Sequence, residues 1–374
     1  MDLWADLDEL RQRRSEKWRR YPADVLPLFV AEMDTKLSSS IRSALDAALD
    51  VSDTGYAQPD ALPAAYAGFA GRRWGWHPDP AAMALMPDVA RAARTAIELV
   101  SSPGDSVVIN PPVYPPFFEW LEMTGRRLVS VPLRSGRLDL SGLEAAFAGG
   151  ARVYLLCNPQ NPTGTVHTRE ELTEVSSLAA EFGVTVISDE IHAPLTLGEA
   201  RFTPYLSLEG TGDAYAAVST SKAWNLAGLK AALLVGGELA GIPEDTVSST
   251  GHLGVIASIA ALTSGDAWLD SLRAELDVNR RWLASALAEL GVGYHTPDAT
   301  YLAWLDLRDH GLGDDPAPVV LERGRVALYR GLDFGPEGAG FVRLNFATAP
   351  EILAEAVDRL GRALLTTGRR PGRT

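Results

Sequence analysis

Val218-Ser-Thr-Ser-Lys-Ala-Trp-Asn-Leu-Ala-Gly228 decides how this chain is read. A lysine, Lys222, stands among small hydroxyl residues immediately after the apolar run Tyr215-Ala-Ala-Val-Ser219, where a strand would end. Two further segments repeat the pattern upstream. Val153-Tyr-Leu-Leu-Cys157 runs into Asn158-Pro-Gln-Asn-Pro-Thr-Gly164, and Val184-Thr-Val-Ile-Ser188 delivers Asp189 of Ser188-Asp-Glu-Ile-His192. An amide, a carboxylate and an amine are thus set at successive strand ends, where open parallel sheets collect their ligands.

Between these strands lie helix signals. Thr168 with Glu171 three residues on has the capping-box pattern. Leu172, Val175, Leu178, Ala179 and Phe182 share one face, and Gly183 ends the helix. Ser106-Val-Val-Ile-Asn110 and Arg127-Leu-Val-Ser-Val-Pro132 read as further strands, so the middle of the chain alternates as a βαβ architecture does. After Lys222 the pattern predicts a strand within Leu229–Gly236, helices over 252–263 and 266–290, strands over 301–307 and 340–346, and a helix over 350–365. The expected organisation is an N-terminal arm, 1–40, joining a small α+β domain, 276–374, around a large domain, 41–275. Residues 367–374, rich in Gly and Arg, read as a frayed tail.

Composition narrows the function. The 374 residues carry a formal charge of −14, which argues against nucleic acid or an anionic membrane as main partner. Residues 1–20 are charged throughout, unlike a signal peptide, and no apolar run has the length of a membrane span. The single cysteine, Cys157, suits a reducing cytoplasm and reads as a buried packing residue. Lys17, Lys36, Lys222 and Lys230 are the only lysines, so few amines could bond a cofactor aldehyde. Amine, carboxylate and amide together are the groups that hold pyridoxal phosphate: Lys222 to bond the aldehyde carbon, Asp189 to face the pyridinium nitrogen, Asn161 to bond the phenolic oxygen. Taken alone, Asp189 could be a helix cap and the asparagines turn residues.

The motifs together resemble the class I/II aminotransferase superfamily of fold-type I pyridoxal-phosphate enzymes. Within it the chain is similar to the cystathionine β-lyase branch, the MalY/PatB-like C–S lyases. The resemblance runs from about Leu26 to Leu360, through Leu26-Pro-Leu-Phe-Val-Ala-Glu-Met-Asp34, Thr54-Gly-Tyr56, Asn110-Pro-Pro-Val-Tyr-Pro-Pro-Phe117, Ser221-Lys-Ala-Trp-Asn-Leu-Ala-Gly-Leu229 and Phe341-Val-Arg-Leu-Asn-Phe346. It implies an α/β fold with a mainly parallel central sheet flanked by helices and a smaller α+β domain.

The resemblance also implies roles. Tyr114 would stack on the cofactor ring and relay a proton to a leaving sulfur. Ser219 and Ser221 would bond the phosphate, with backbone N–H groups at Val89 and Ala90. Arg343 would clamp the substrate α-carboxylate, and Tyr56 would reach the phosphate in a partner subunit of a homodimer with shared active sites. The implied activity is β-elimination from cystathionine or another cysteine S-conjugate, giving pyruvate, ammonia and a thiol. An aminotransferase uses the same residues, and a regulatory protein on this fold is the remaining alternative. Departures from the family pattern cluster at the phosphate turn and near His192. Asp88 replaces a usual glycine and Arg91 a usual proline, and Arg91 could add a phosphate contact. His192 stands where aspartate-type aminotransferases carry a tyrosine, Lys230 where they carry a phosphate-binding arginine, and Pro194 where an aspartate is more usual.

Overall fold

The computed structural model describes residues 3–365; the expected tail at 367–374 lies outside them. Eight strands come first in the chain: β1 (Leu26–Pro27), β2 (Met83–Met86), β3 (Ser106–Ile109), β4 (Arg127–Ser130), β5 (Val153–Cys157), β6 (Thr185–Asp189), β7 (Tyr215–Val218) and β8 (Ala232–Gly236). Strands β2 to β8 form a seven-stranded sheet in the order β2-β8-β7-β6-β5-β3-β4. The β7–β6–β5–β3–β4 pairs are parallel, whereas β8 is antiparallel to both its neighbours. The sheet is therefore mainly parallel, as the sequence predicts. Strand β8 is the exception, reached through the short connection that follows Lys222.

Sheet burial explains why the motif-bearing strands read as unbroken apolar runs. In β5, Val153, Leu155 and Cys157 pack with the helices Val89–Val100 and Pro116–Met123 on one face. Tyr154 and Leu156 pack on the other face with the helices Leu140–Ala148 and Arg169–Phe182. The capping box at Thr168 and Glu171 is present, and Gly183 adopts φ 66°, the left-handed stop expected of it. Such a cap contributes about 1 kcal/mol and fixes where β6 can begin.

The C-terminal strands are β9 (Gly293–Tyr294), β10 (Leu302–Asp306), β11 (Val326–Ala327), β12 (Tyr329–Arg330) and β13 (Phe341–Asn345). Four of them form a second sheet, β12-β13-β10-β9, and β1 pairs in parallel with β11. The arm thus joins the C-terminal part through backbone pairing. The helix Asp266–Glu289 runs unbroken through residue 275 into that part, and the largest buried cluster is shared between the two sheets. Among the described residues, no helix is long and apolar enough to cross a membrane.

Candidate active site

The carboxyl ends of β5, β6 and β7 open into a cavity of about 350 Å³ whose lining includes Asn161, Asp189, His192, Ser219, Ser221, Lys222 and Lys230. Val89, Ala90 and Tyr114 line it from the large sheet's helices and loops, and Arg343 reaches it from β13. Eleven of the twelve residues expected at the site therefore surround one space. The twelfth, Tyr56, is 89% exposed and lies outside the lining.

Lys222 is held by geometry as well as by position. Its Nζ donates to the Ala31 carbonyl at 3.0 Å. Burial, and then the Arg343 cation, bring its amine down to about 8 from the usual lysine range. That raises the share of neutral, nucleophilic amine near neutral pH. Asp189 is buried at the end of β6 and accepts from the Ile191 N–H at 3.1 Å. Desolvation pushes its carboxyl up to about 7, opposed by that hydrogen bond and by Lys222. A cationic ring nitrogen against it would restore the ionised form.

Asn161 Oδ1 accepts from Arg343 Nη1 at 2.9 Å, and Arg343 Nη2 donates to the Phe29 carbonyl at 3.0 Å. The guanidinium lies 4.7 Å from the Tyr329 ring and 5.0 Å from the Phe334 ring, fixing its plane. Its Nε is buried without a partner. The Gly164 that closes the asparagine motif has φ 71°, and any side chain there would strike Pro297 and the Ala299 carbonyl. A tight turn is thereby pressed onto the C-terminal part, which keeps Asn161 within reach of Arg343.

His192 is buried with Nδ1 unpartnered and its ring edge-on to Tyr301 at 6.2 Å. Burial, with Lys222 and Arg343 nearby, depresses it to about 3, so the imidazole is neutral at physiological pH. Tyr114 packs edge-on against Phe117 and Trp120, each at 6.1 Å. Burial, with the Asp189 charge adding to it, raises its phenol above the ordinary range and keeps it protonated.

The helix Val89–Val100 begins at the cavity, with Val89 and Ala90 in its lining, and Asp88 caps it by accepting from the Arg91 N–H at 2.8 Å. The other Asp88 oxygen pairs with Lys230 Nζ at 3.1 Å. Lys230 is thus tied to the very acid that departs from the family pattern, and the cation compensates it. Arg91, considered for a phosphate contact, instead donates to Thr246 Oγ1 at 2.9 Å. Ser219 Oγ donates to the Ala231 carbonyl at 2.7 Å and accepts from the Ser221 N–H at 3.1 Å, fixing the turn before Lys222.

Cys157 is buried, its thiol raised well above the ordinary range by desolvation. Motif reading missed Trp120, Tyr301 and Tyr329. Tyr301 donates to the same Ala31 carbonyl as Lys222, at 3.0 Å, and no local pattern marks such long-range partners. It also missed the buried pair of Lys17 Nζ with Asp34 Oδ2 at 2.8 Å, beside Trp18 Nε1 donating to Asp34 Oδ1 at 2.8 Å. Lys17 is thereby committed elsewhere.

The chemistry of this donor set fits pyridoxal phosphate: a depressed amine, a buried carboxylate, helix-start amides for an anion, and two buried nitrogens without a hydrogen-bond partner, on His192 and Arg343, residues that line the same space. Residues 23–360 match the model of the family "Aminotransferase class I and II". The chain belongs to that family. A Mycobacterium tuberculosis protein, named provisionally as a cystathionine beta-lyase, is 47% identical over 96% of this chain and 97% of its own length. A Corynebacterium glutamicum cystathionine beta-lyase is 38% identical over 96% of this chain and 100% of its own. Among solved structures, one from Corynebacterium diphtheriae, described with similar reserve as a PLP-dependent beta-cystathionase, superposes with a TM-score of 0.93. It is 34% identical and covers 98% of this chain and 99% of that one. Fold-type I architecture follows from these likenesses as well as from the sheet.

Proposed function

We propose that the protein is a pyridoxal-phosphate-dependent C–S β-lyase acting on L-cystathionine or a related cysteine S-conjugate. The observation that carries this reading is the convergence of Lys222, Asp189, Tyr114 and Arg343 on one cavity, in a chain whose relatives are named for that activity. When bound, the cofactor supplies an aldehyde carbon that captures the substrate amine and a ring that accepts electrons from Cα. Lys222 and Asp189 hold it, with Asn161 and His192 at its oxygen side. The amides of Val89 and Ala90, Ser219, Ser221 and the Lys230–Asp88 pair form its anion end.

The chain's own groups then divide the work. The planar Arg343 fork, held in one orientation by Asn161 and two aromatic rings, takes the substrate α-carboxylate in a bidentate grip. Lys222 Nζ accepts the Cα proton, for which its lowered proton affinity keeps it available. Tyr114 Oη, which stays a phenol, relays to the departing thiolate the proton that Lys222 took from Cα as the Cβ–S bond breaks, so that both groups end as they began. Hydrolysis of the remaining three-carbon fragment gives pyruvate and ammonia.

We also read the active unit as a cytoplasmic homodimer with shared sites. Support comes from Tyr56, 89% exposed in a loop beside the exposed Leu49 and Val51, a patch that a second copy would cover. With cystathionine and no 2-oxo acid, pyruvate should be released over many turnovers. A single stoichiometric burst relieved by 2-oxoglutarate would instead make the protein an aminotransferase.

A further inference from the structure

Glu190 follows Asp189 directly and faces away from the catalytic cavity. It lines a second, much smaller space of about 20 Å³, walled by Tyr66, Trp224, Thr220 and Ser258. Ser219 and Ala231 border both spaces, so a single layer of chain separates them. The carboxyl is fully buried, and its two oxygens are treated differently. Oε1 accepts from the Tyr205 N–H at 2.8 Å and from Ser188 Oγ at 3.1 Å. Oε2 has no partner, nor has the buried Tyr66 hydroxyl on the same small space.

No cation lines that space. The charged or titratable groups facing Glu190 are Asp189 from its own strand and the Tyr66 phenol from the helix Ala61–Trp74. An ionised Oε2 would be a buried charge with no compensation. A protonated Oε2 carries no charge and avoids that cost, while Oε1 keeps both of its hydrogen bonds.

We propose that Glu190 is a positioning residue that stands in the fold as a neutral carboxylic acid, its proton carried on the unpartnered Oε2. Asp189 is then the sole carboxylate charge at the end of β6. This rests on reading Asp189 as the partner of the cofactor's ring nitrogen. A second negative charge one residue away would compete for the same proton and disturb its placement. Burial, opposed by the Tyr205 and Ser188 hydrogen bonds and aided last by the Asp189 charge, holds the Glu190 acid up to about 8. The folded state therefore keeps a proton that the unfolded chain releases in the ordinary carboxylate range. Stability conferred by that proton falls as pH rises toward about 8.

The test compares holoenzyme with Glu190→Gln, whose amide accepts at one end and donates at the other as the neutral acid does. Infrared difference spectra at pH 7 should show a protonated-carboxyl carbonyl band in the wild type that Glu190→Gln lacks, and the band should fade above about pH 8. The melting temperature should shift in favour of Glu190→Gln as pH rises from 5 to 8, while its visible cofactor spectrum at pH 7 stays that of the wild type. Elimination at pH 7 should stay within about threefold, as expected for one neutral hydrogen bond replaced by another. Glu190→Ala should shift the pH at which the visible band titrates, with Glu190→Gln restoring it. Absence of the acid band at pH 7 overturns the proposal, whether or not Glu190→Ala folds. So does a visible spectrum altered by Glu190→Gln. Failure to bind pyridoxal phosphate at all would instead sink the functional reading, since the infrared band does not depend on it.

Discussion

Arg343 Nη1 and Asn161 Oδ1 meet at 2.9 Å although 182 residues separate them. The pair ties β13 of the smaller sheet to the turn after β5 of the larger one, so the residue proposed to grip the substrate carboxylate and the one proposed at the cofactor's oxygen side position each other. Arg343→Lys keeps the charge but loses the fork and its stacking on Tyr329 and Phe334. We expect kcat/KM to fall by about 100-fold or more, mainly through KM, in steady-state assays.

Borohydride reduction of holoenzyme followed by peptide mapping should find the cofactor on Lys222. Lys222→Ala should be inert. Recovery of the label on Lys36 or Lys230 would remove the central assignment.

Asp189→Asn should fold normally, since its one structural contact, with the Ile191 N–H, survives in an amide. Its elimination rate should drop by about 10²- to 10³-fold, the usual cost of losing one preorganised electrostatic partner. Near-normal turnover would make Asp189 a turn residue only.

Reconstitution of apoprotein should report the Lys222 amine directly. Only the neutral amine attacks an aldehyde, and Lys222 is depressed to about 8. The rate of cofactor capture should therefore rise roughly tenfold per pH unit below that value and level off above it. Arg343→Met removes a cation that lowers the amine, so the break should move to higher pH. Stopped-flow absorbance from pH 6 to 9 measures both.

Mixing Lys222→Ala with Tyr56→Phe subunits should recover activity that neither has alone, because one hybrid site keeps both residues. No recovery after demonstrated subunit exchange would put Tyr56 outside the site.

The motif-bearing strand ends were legible because each is a local event, an apolar run stopped by a turn-forming segment. Asn161, Asp189 and Lys222 owe their recognition to that. Strand β2 was not legible, since Met83–Met86 is too short to show a period and takes its place only through pairing with β8. Lys230 was visible as a cation eight residues after Lys222, but its partner Asp88 is fixed by tertiary placement. The same holds for Arg91, whose reach to Thr246 crosses to another helix. Likewise the small cavity behind Asp189 exists only once the helix Ala61–Trp74 has docked.

Val30 and Ala31 border the cavity, and the segment from Phe29 to Met33 that carries them is fastened mostly through its main-chain groups. Phe29 O holds Arg343, Ala31 O holds Lys222 and Tyr301, Val30 O and Glu32 O hold Asn345, and the Met33 N–H and carbonyl are both met by Asn225. None of those bonds asks for a particular side chain at 30 or 31, yet Val30 and Ala31 both border the cavity. Mutational drift or deliberate redesign at these two positions can therefore reshape the cavity wall while the main-chain fastenings stay in place, making them a natural pair to randomise in a library.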